Sequence, residues 1–249
     1  MKLRILLIAS LGVLWLVANL PANLLRQFIE SDQLTLVAPQ GSLWHGSGTL
    51  VSNLGLQAQV QWQTMFWPLG LNLHLTDKDS DIRGRLKLAL GTLLSNHLGG
   101  YRLTLEGQLG ATTLAPLLQR YDLFVPGTFR LNNTEMLMQQ NQLRLSQPSS
   151  LQWSGGTVRY ILANRQYLAA MPPLRATLVN NDQGHLEAKI YSREAKSVPL
   201  LILRAAQNGN VYFAVSRGML DLANYPWSGN EAADELIFEI QRSLNPNPR

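Results

Sequence analysis

Four histidines and one acidic run are the residues whose chemistry needs settling first. His45, His74, His97 and His185 carry imidazoles that could ligate a metal or move a proton. Either task needs convergent partners. No HxxxH, no HExxH and no acidic residue stands at ligand spacing from any of them, so surface positions are expected. Asp77 to Asp81, DKDSD, has the oxygen-rich opening of a calcium loop. The match ends there, because the sixth position, which needs glycine, is Ile82, and the twelfth, which needs a bidentate carboxylate, is Leu88. The run reads as a solvated turn between strands. GSGT at 46–49 lacks the lysine of a phosphate loop, and no GxSxG or dinucleotide fingerprint occurs. The absence of cysteine removes thiolate zinc sites, cysteine nucleophiles and disulfides together. No catalytic set, metal or cofactor is implied, and an enzyme is not expected.

Two features suit binding better. Arg83, Arg85 and Lys87 alternate along one strand and form a basic face. Such a face keeps a sheet soluble and blocks edge pairing, or it receives an acidic protein partner or anionic headgroups. The second feature is a run of leucines at alternate positions, including Leu69, Leu71, Leu73, Leu86, Leu88, Leu103 and Leu105. Few helical segments exist to cover that surface, so it is either filled by the sheet folding over or open as a groove for a lipid chain or an apolar segment.

The elements that must position these residues are mostly strands. Leu54 to Gln63, LGLQAQVQWQ, alternates strictly, with Leu, Ala, Val and Trp on one face and glutamines on the other. The same period recurs at Leu69–Thr76, Ile82–Leu90 and Tyr101–Leu109, and more weakly in seven later segments from Thr128 to Val215. TDKDSD, Gly99–Gly100, NNDQG and QNGN separate them as hairpin joints. The expected fold is mainly β: a long, curved, mostly antiparallel sheet with two or three short helices. Helices are expected at Thr113–Phe124, with Pro116 in its first turn, and after Ser228 and Glu231, which resemble a capping box ahead of an apolar stripe through Leu244.

The 249 residues, 46% apolar and 15% charged, suit an ordered chain with one sizeable core. Ile5 to Leu25 has no charged residue and would span about 31 Å as a helix. Lys2 and Arg4 precede it. The positive-inside tendency keeps residues 1–4 in the cytoplasm and sends the rest across, with 5–25 as a retained anchor and 26–249 as one β-rich domain. A cleaved signal peptide competes with this reading, but no clean A-x-A site follows. Nucleic acid is not expected as a partner for a domain beyond a membrane, despite the net charge of +5.

Residues 41–50, GSLWHGSGTL, place Trp44 among Gly41, Gly46 and Gly48. LQWSGGTVRY echoes them with Trp153, Gly155 and Gly156, which suggests two related halves meeting near residue 148. The glycines allow bends and close approach, and Trp44 is expected to anchor the corner against the apolar face.

Together with the preceding apolar segment, Gly41 to Thr49 is similar to the G-x-[LV]-W-x-G-x-[AG] signature of type II secretion system protein N. Trp62 and Pro68 ahead of the leucine-rich strand, VPGTFRL at 125–131 and the Trp153 segment follow in that family's order. The resemblance implies an accessory subunit of the bacterial inner membrane. Its domain would lie in the periplasm and assist export of folded proteins across the outer membrane, through contacts with the secretin or an inner-membrane linker subunit. It also implies kinship in fold with AsmA-like lipid-carrying proteins, and hence lipid handling as the other reading.

Overall fold

The structure, a computed structural model, describes residues 15, 19–29, 31, 34–66, 69–88, 100–139, 142–192 and 198–243. Among them are seventeen strands and three short helices. Fourteen strands form one antiparallel sheet. Its order begins with β1 (Leu34–Gly41), β2 (His45–Ser52), β3 (Gln57–Phe66), β4 (Leu69–Asp77), β5 (Ser80–Leu88), β6 (Tyr101–Gly110) and β8 (Thr128–Gln139). It continues through β10 (Ser149–Trp153), β13 (Leu174–Asn180), β14 (Leu186–Ser192), β15 (Leu201–Ala205), β16 (Asn210–Ser216) and β17 (Leu236–Ser243). β9 (Gln142–Leu145) pairs with β8 beside that path. β7 (Leu123–Phe124), β11 (Gly156–Leu162) and β12 (Arg165–Met171) form a separate three-stranded sheet.

The register explains why the alternation is so regular. Val60, Leu75, Ile82 and Gly107 lie opposite one another across four strands, as do Trp62, Leu73, Gly84 and Leu105. A side-chain period of two then gives the whole sheet one apolar face. Pairing runs directly from β8 to β10, so the sheet is continuous through this region.

Helix α1 (Asn23–Ile29) packs on β1 and closes the first core, where Ala22, Leu36, Val60 and Trp62 are buried and Leu71, Leu73 and Leu75 lean on them. Most of Ile5–Leu25 lies outside the described residues, and no described helix is long and apolar enough to cross a membrane. The end of that stretch belongs to the sheet domain. Ala22 N–H donates to the Gly41 carbonyl at 3.2 Å, and Leu43 N–H donates to the Leu20 carbonyl at 2.8 Å.

The acidic turn does more than face solvent. Its β4–β5 hairpin lies at the start of helix α2 (Ala111–Gln119), whose own N-cap is Gly110 and has no capping side chain. Asp79 accepts from Thr112 N–H at 2.7 Å and from the Thr113 hydroxyl at 3.0 Å, and Gly110 N–H donates to Ser80 Oγ at 2.9 Å. Burial pushes the Asp79 pKa up, but these hydrogen bonds outweigh it and hold the carboxyl below its ordinary value. Asp79→Ala should remove a cap supplied from another element and cost about 1 kcal/mol, measurable as a lower urea midpoint.

Two helical expectations are corrected. Helix α2 begins at Ala111 and stops at Gln119, and Asp122 then takes a left-handed conformation (φ 52°) ahead of β7. The expected C-terminal helix is absent, and Leu236–Ser243 is strand β17. Glu231 accepts from Trp227 Nε1 at 2.8 Å instead of closing a capping box. The reason is tertiary: β16 presents an edge, and LIFEI is rich in the β-branched and aromatic residues that pair with it. The short helix α3 (Arg217–Leu222) had no signal in the periodicity.

On the opposite face Glu187 is only 5% exposed. It accepts from Lys189 Nζ at 2.9 Å and from Arg204. Burial would raise its pKa, but these two partners together lower it below the ordinary 4.5. A depressed carboxyl stabilises the fold above the unfolded-state pKa and loses that contribution as pH falls through the folded-state value. The stability gap between wild type and Glu187→Gln should therefore be full at neutral pH and close below about pH 4.5, read from urea midpoints across that range.

Candidate binding cleft between the two sheets

The small sheet and α3 lie over the apolar face of the large sheet, and the two layers do not fill the space between them. The large sheet supplies Phe129, Leu151, Trp153, Leu174, Ala176, Ala188 and Ile190. Val158, Tyr160, Ala169 and Met171 of β11 and β12 face them, with Met219 and Ala223 at one side. The result is a cleft of about 460 Å³, within the size range of small-molecule sites. Alanine at 169, 176, 188 and 223 creates the room, since larger side chains at these facing positions would interdigitate and close it.

Its polar atoms are already occupied. Trp153 Nε1 donates to the Pro126 carbonyl at 2.7 Å, and the Tyr160 hydroxyl donates to the Ala223 carbonyl at 3.0 Å. Tyr160 stacks on Tyr167 with centroids 5.1 Å apart, and Tyr167 meets Tyr225 at 5.9 Å. Burial first, then these two phenols, raise the Tyr160 pKa, so it stays neutral. With no charge or unpaired donor turned inward, the cleft can reward only the burial of hydrocarbon. A second apolar recess of about 300 Å³ beneath Leu114 of α2 shares Phe129 and Leu151 with it, so the two are neighbours on one face.

Of the leucines singled out from sequence, Leu69, Leu71, Leu73, Leu86, Leu103 and Leu105 are on this face but do not line the cleft. Leu71 and Leu73 belong to the first core under α1, and Leu69 lies at the start of their strand. Leu86 and Leu103 continue the row from Leu71, and Leu105 continues it from Leu73 through Gly84. Leu88 pairs with Tyr101 through its backbone. Arg83, Arg85 and Lys87 share the opposite face, but acidic and amide groups lie among them. Arg83 Nε is 3.7 Å from Asp81, and Arg85 Nε donates to Asn72 Oδ1 at 3.2 Å. The described residues contain no group of three or more His, Asp or Glu side chains able to hold a metal. His97 and Pro68 lie outside them.

The glycine and tryptophan motifs act as joints. Gly41 adopts φ 92°, and a methyl group on Gly46 would lie 2.3 Å from the Gln40 carbonyl oxygen and 2.5 Å from the Trp62 ring. A methyl on Gly48 would come within 2.9 Å of Leu36. Of the two tryptophans at this corner, Trp62 is the more deeply buried. Trp62 is 5% exposed, lies over Gly46 and donates from Nε1 to the Ser42 carbonyl at 3.0 Å. Trp44 is half-buried against Phe66, itself 66% exposed. Trp153 repeats the device of Trp62, its indole bonded to a carbonyl just ahead of the neighbouring strand, with Gly155 and Gly156 at φ 81° and 139°.

Sequence reasoning missed the cleft-forming alanines. Their signal is alanine at apolar positions of several strands, as in QYLAAM and LRATLV. It becomes visible only once those strands are known to face one another. These features define a mainly β protein with one long open sheet and an apolar cleft under a small second sheet. No family model, no curated protein and no solved structure matches the chain.

Proposed function

We propose that the chain is a membrane-tethered accessory subunit of the type II secretion system, acting in the periplasm through contacts and not through catalysis. One observation carries this reading. The residues behind the resemblance, Gly41 to Gly48 with Trp62, form the joint at which the chain leaving the apolar N-terminal stretch is fastened to the sheet. The Gly41 carbonyl accepts from Ala22, and Trp62 locks Ser42 from the other side. A tether fixed rigidly to a long sheet suits a scaffold that holds partners at a set distance from the inner membrane. In-cell crosslinking followed by purification of the chain should recover the secretin or the inner-membrane linker subunit. Recovery of neither would count against the reading.

The cleft favours a second reading, lipid handling by a protein of AsmA-like fold. Its wholly apolar lining and its volume of about 460 Å³ suit an acyl chain. Native mass spectrometry of the purified protein should show an adduct of lipid mass. A bare protein under conditions that preserve known lipid complexes would speak against it.

A further inference from the structure

The two free edges of the large sheet differ in how they are guarded, and the difference points to a partner. An exposed strand edge is a template for pairing, and natural sheets blunt it with proline, bulges or covering elements. The β1 edge has the first two: Ala38 is left-handed (φ 48°), and the register shifts between Val37 and Gln40 around Pro39. Among the described residues, the β17 edge has none of them along Phe238 to Ser243. It is eight residues long, contains no proline, and its one irregularity lies at its start, opposite Val215 and Ser216. Phe238 and Ile240, on the apolar face, are 40% and 49% exposed. Among the described residues no strand pairs with its outer side.

We infer that β17 pairs with β17 of a second copy of this chain, antiparallel and centred on Ile240, so that two sheets join into one. The occupant follows from the complementarity of this edge with itself. A two-fold axis at Ile240 sets Ile240 against Ile240, Phe238 against Arg242 and Glu239 against Gln241. Apolar meets apolar, a guanidinium meets an aromatic ring and a carboxylate meets an amide. A centre one residue earlier would oppose Glu239 with itself, and a centre between residues would mix the two faces. The pairing keeps the apolar faces of both copies on one side and makes them continuous. An eight-residue edge buries little area, so the association is weak and depends on local concentration.

The chain has no cysteine, so single cysteines report the register cleanly. In the paired edge, residues at 240 are directly opposite with Cα atoms about 4.5–5.5 Å apart, within disulfide reach. Residues at 239 are diagonal neighbours at about 7–8 Å, and residues at 242 are about 14 Å apart along the strands. Full-length I240C, E239C and R242C, in native membranes, are oxidised with copper phenanthroline and followed on non-reducing gels. I240C should form a covalent dimer at least tenfold faster than E239C, and R242C should form none. Equal rates at the three positions would mean collision without register. No dimer from I240C, or an adduct with another protein in its place, would equally overturn the inference.

Discussion

Trp62→Ala should lower the stability of the sheet domain by about 3–5 kcal/mol, a larger loss than Trp44→Ala should cause. The contrast follows from position, since both residues carry the same large ring. Trp62 is nearly sealed in the core with Ala22, Leu36 and Val60. Removing it opens a cavity above Gly46 and also leaves the Ser42 carbonyl without its indole donor. Trp44 is only half-buried, so truncating it returns less apolar surface to water. Urea unfolding followed by circular dichroism separates the two, and similar midpoints for both variants would show that the joint is not where the structure places it.

The second large effect concerns the cleft. Ala188→Phe puts a ring into space lined by Leu178, Leu203 and Ile190 without touching the polar face. Binding of an apolar fluorescent probe should weaken by at least about tenfold, equal to ~1.4 kcal/mol. The unfolding midpoint should move little, because the ring fills a void and does not overpack a full core. Lys189→Ala, one residue along and on the other face, should leave probe binding unchanged. If both variants bind the probe as the wild type does, the cleft is not its site.

Much of the architecture was legible because some strands alternate without interruption. The glutamine and apolar faces of β3 and the leucine row of β4 admit only one period, and strands form at both segments, β3 beginning at Gln57. The C-terminal segment misled because Ser228, Glu231 and the spacing of Ala233, Leu236, Ile237 and Ile240 satisfy a local helical pattern. The competing interaction, an unpaired β16, is non-local and has no signature in that window. Trp44 drew attention through its flanking glycines, yet Gly46 is small to admit Trp62, which lies sixteen positions further on and directly across the strand pair. The cleft was hidden for the same reason. It is an absence of side-chain volume at Ala169, Ala176 and Ala188, and only tertiary facing turns alanine into space.

The central claim, a tethered subunit of the secretion machinery, meets its most direct test in a clean deletion of the gene, followed by measurement of how a known secreted enzyme divides between periplasm and medium. The account predicts retention in the periplasm, reversed by the intact gene but not by one in which a cleavable signal replaces the N-terminal apolar stretch ahead of Leu20. Unchanged export in the deletion strain would contradict it.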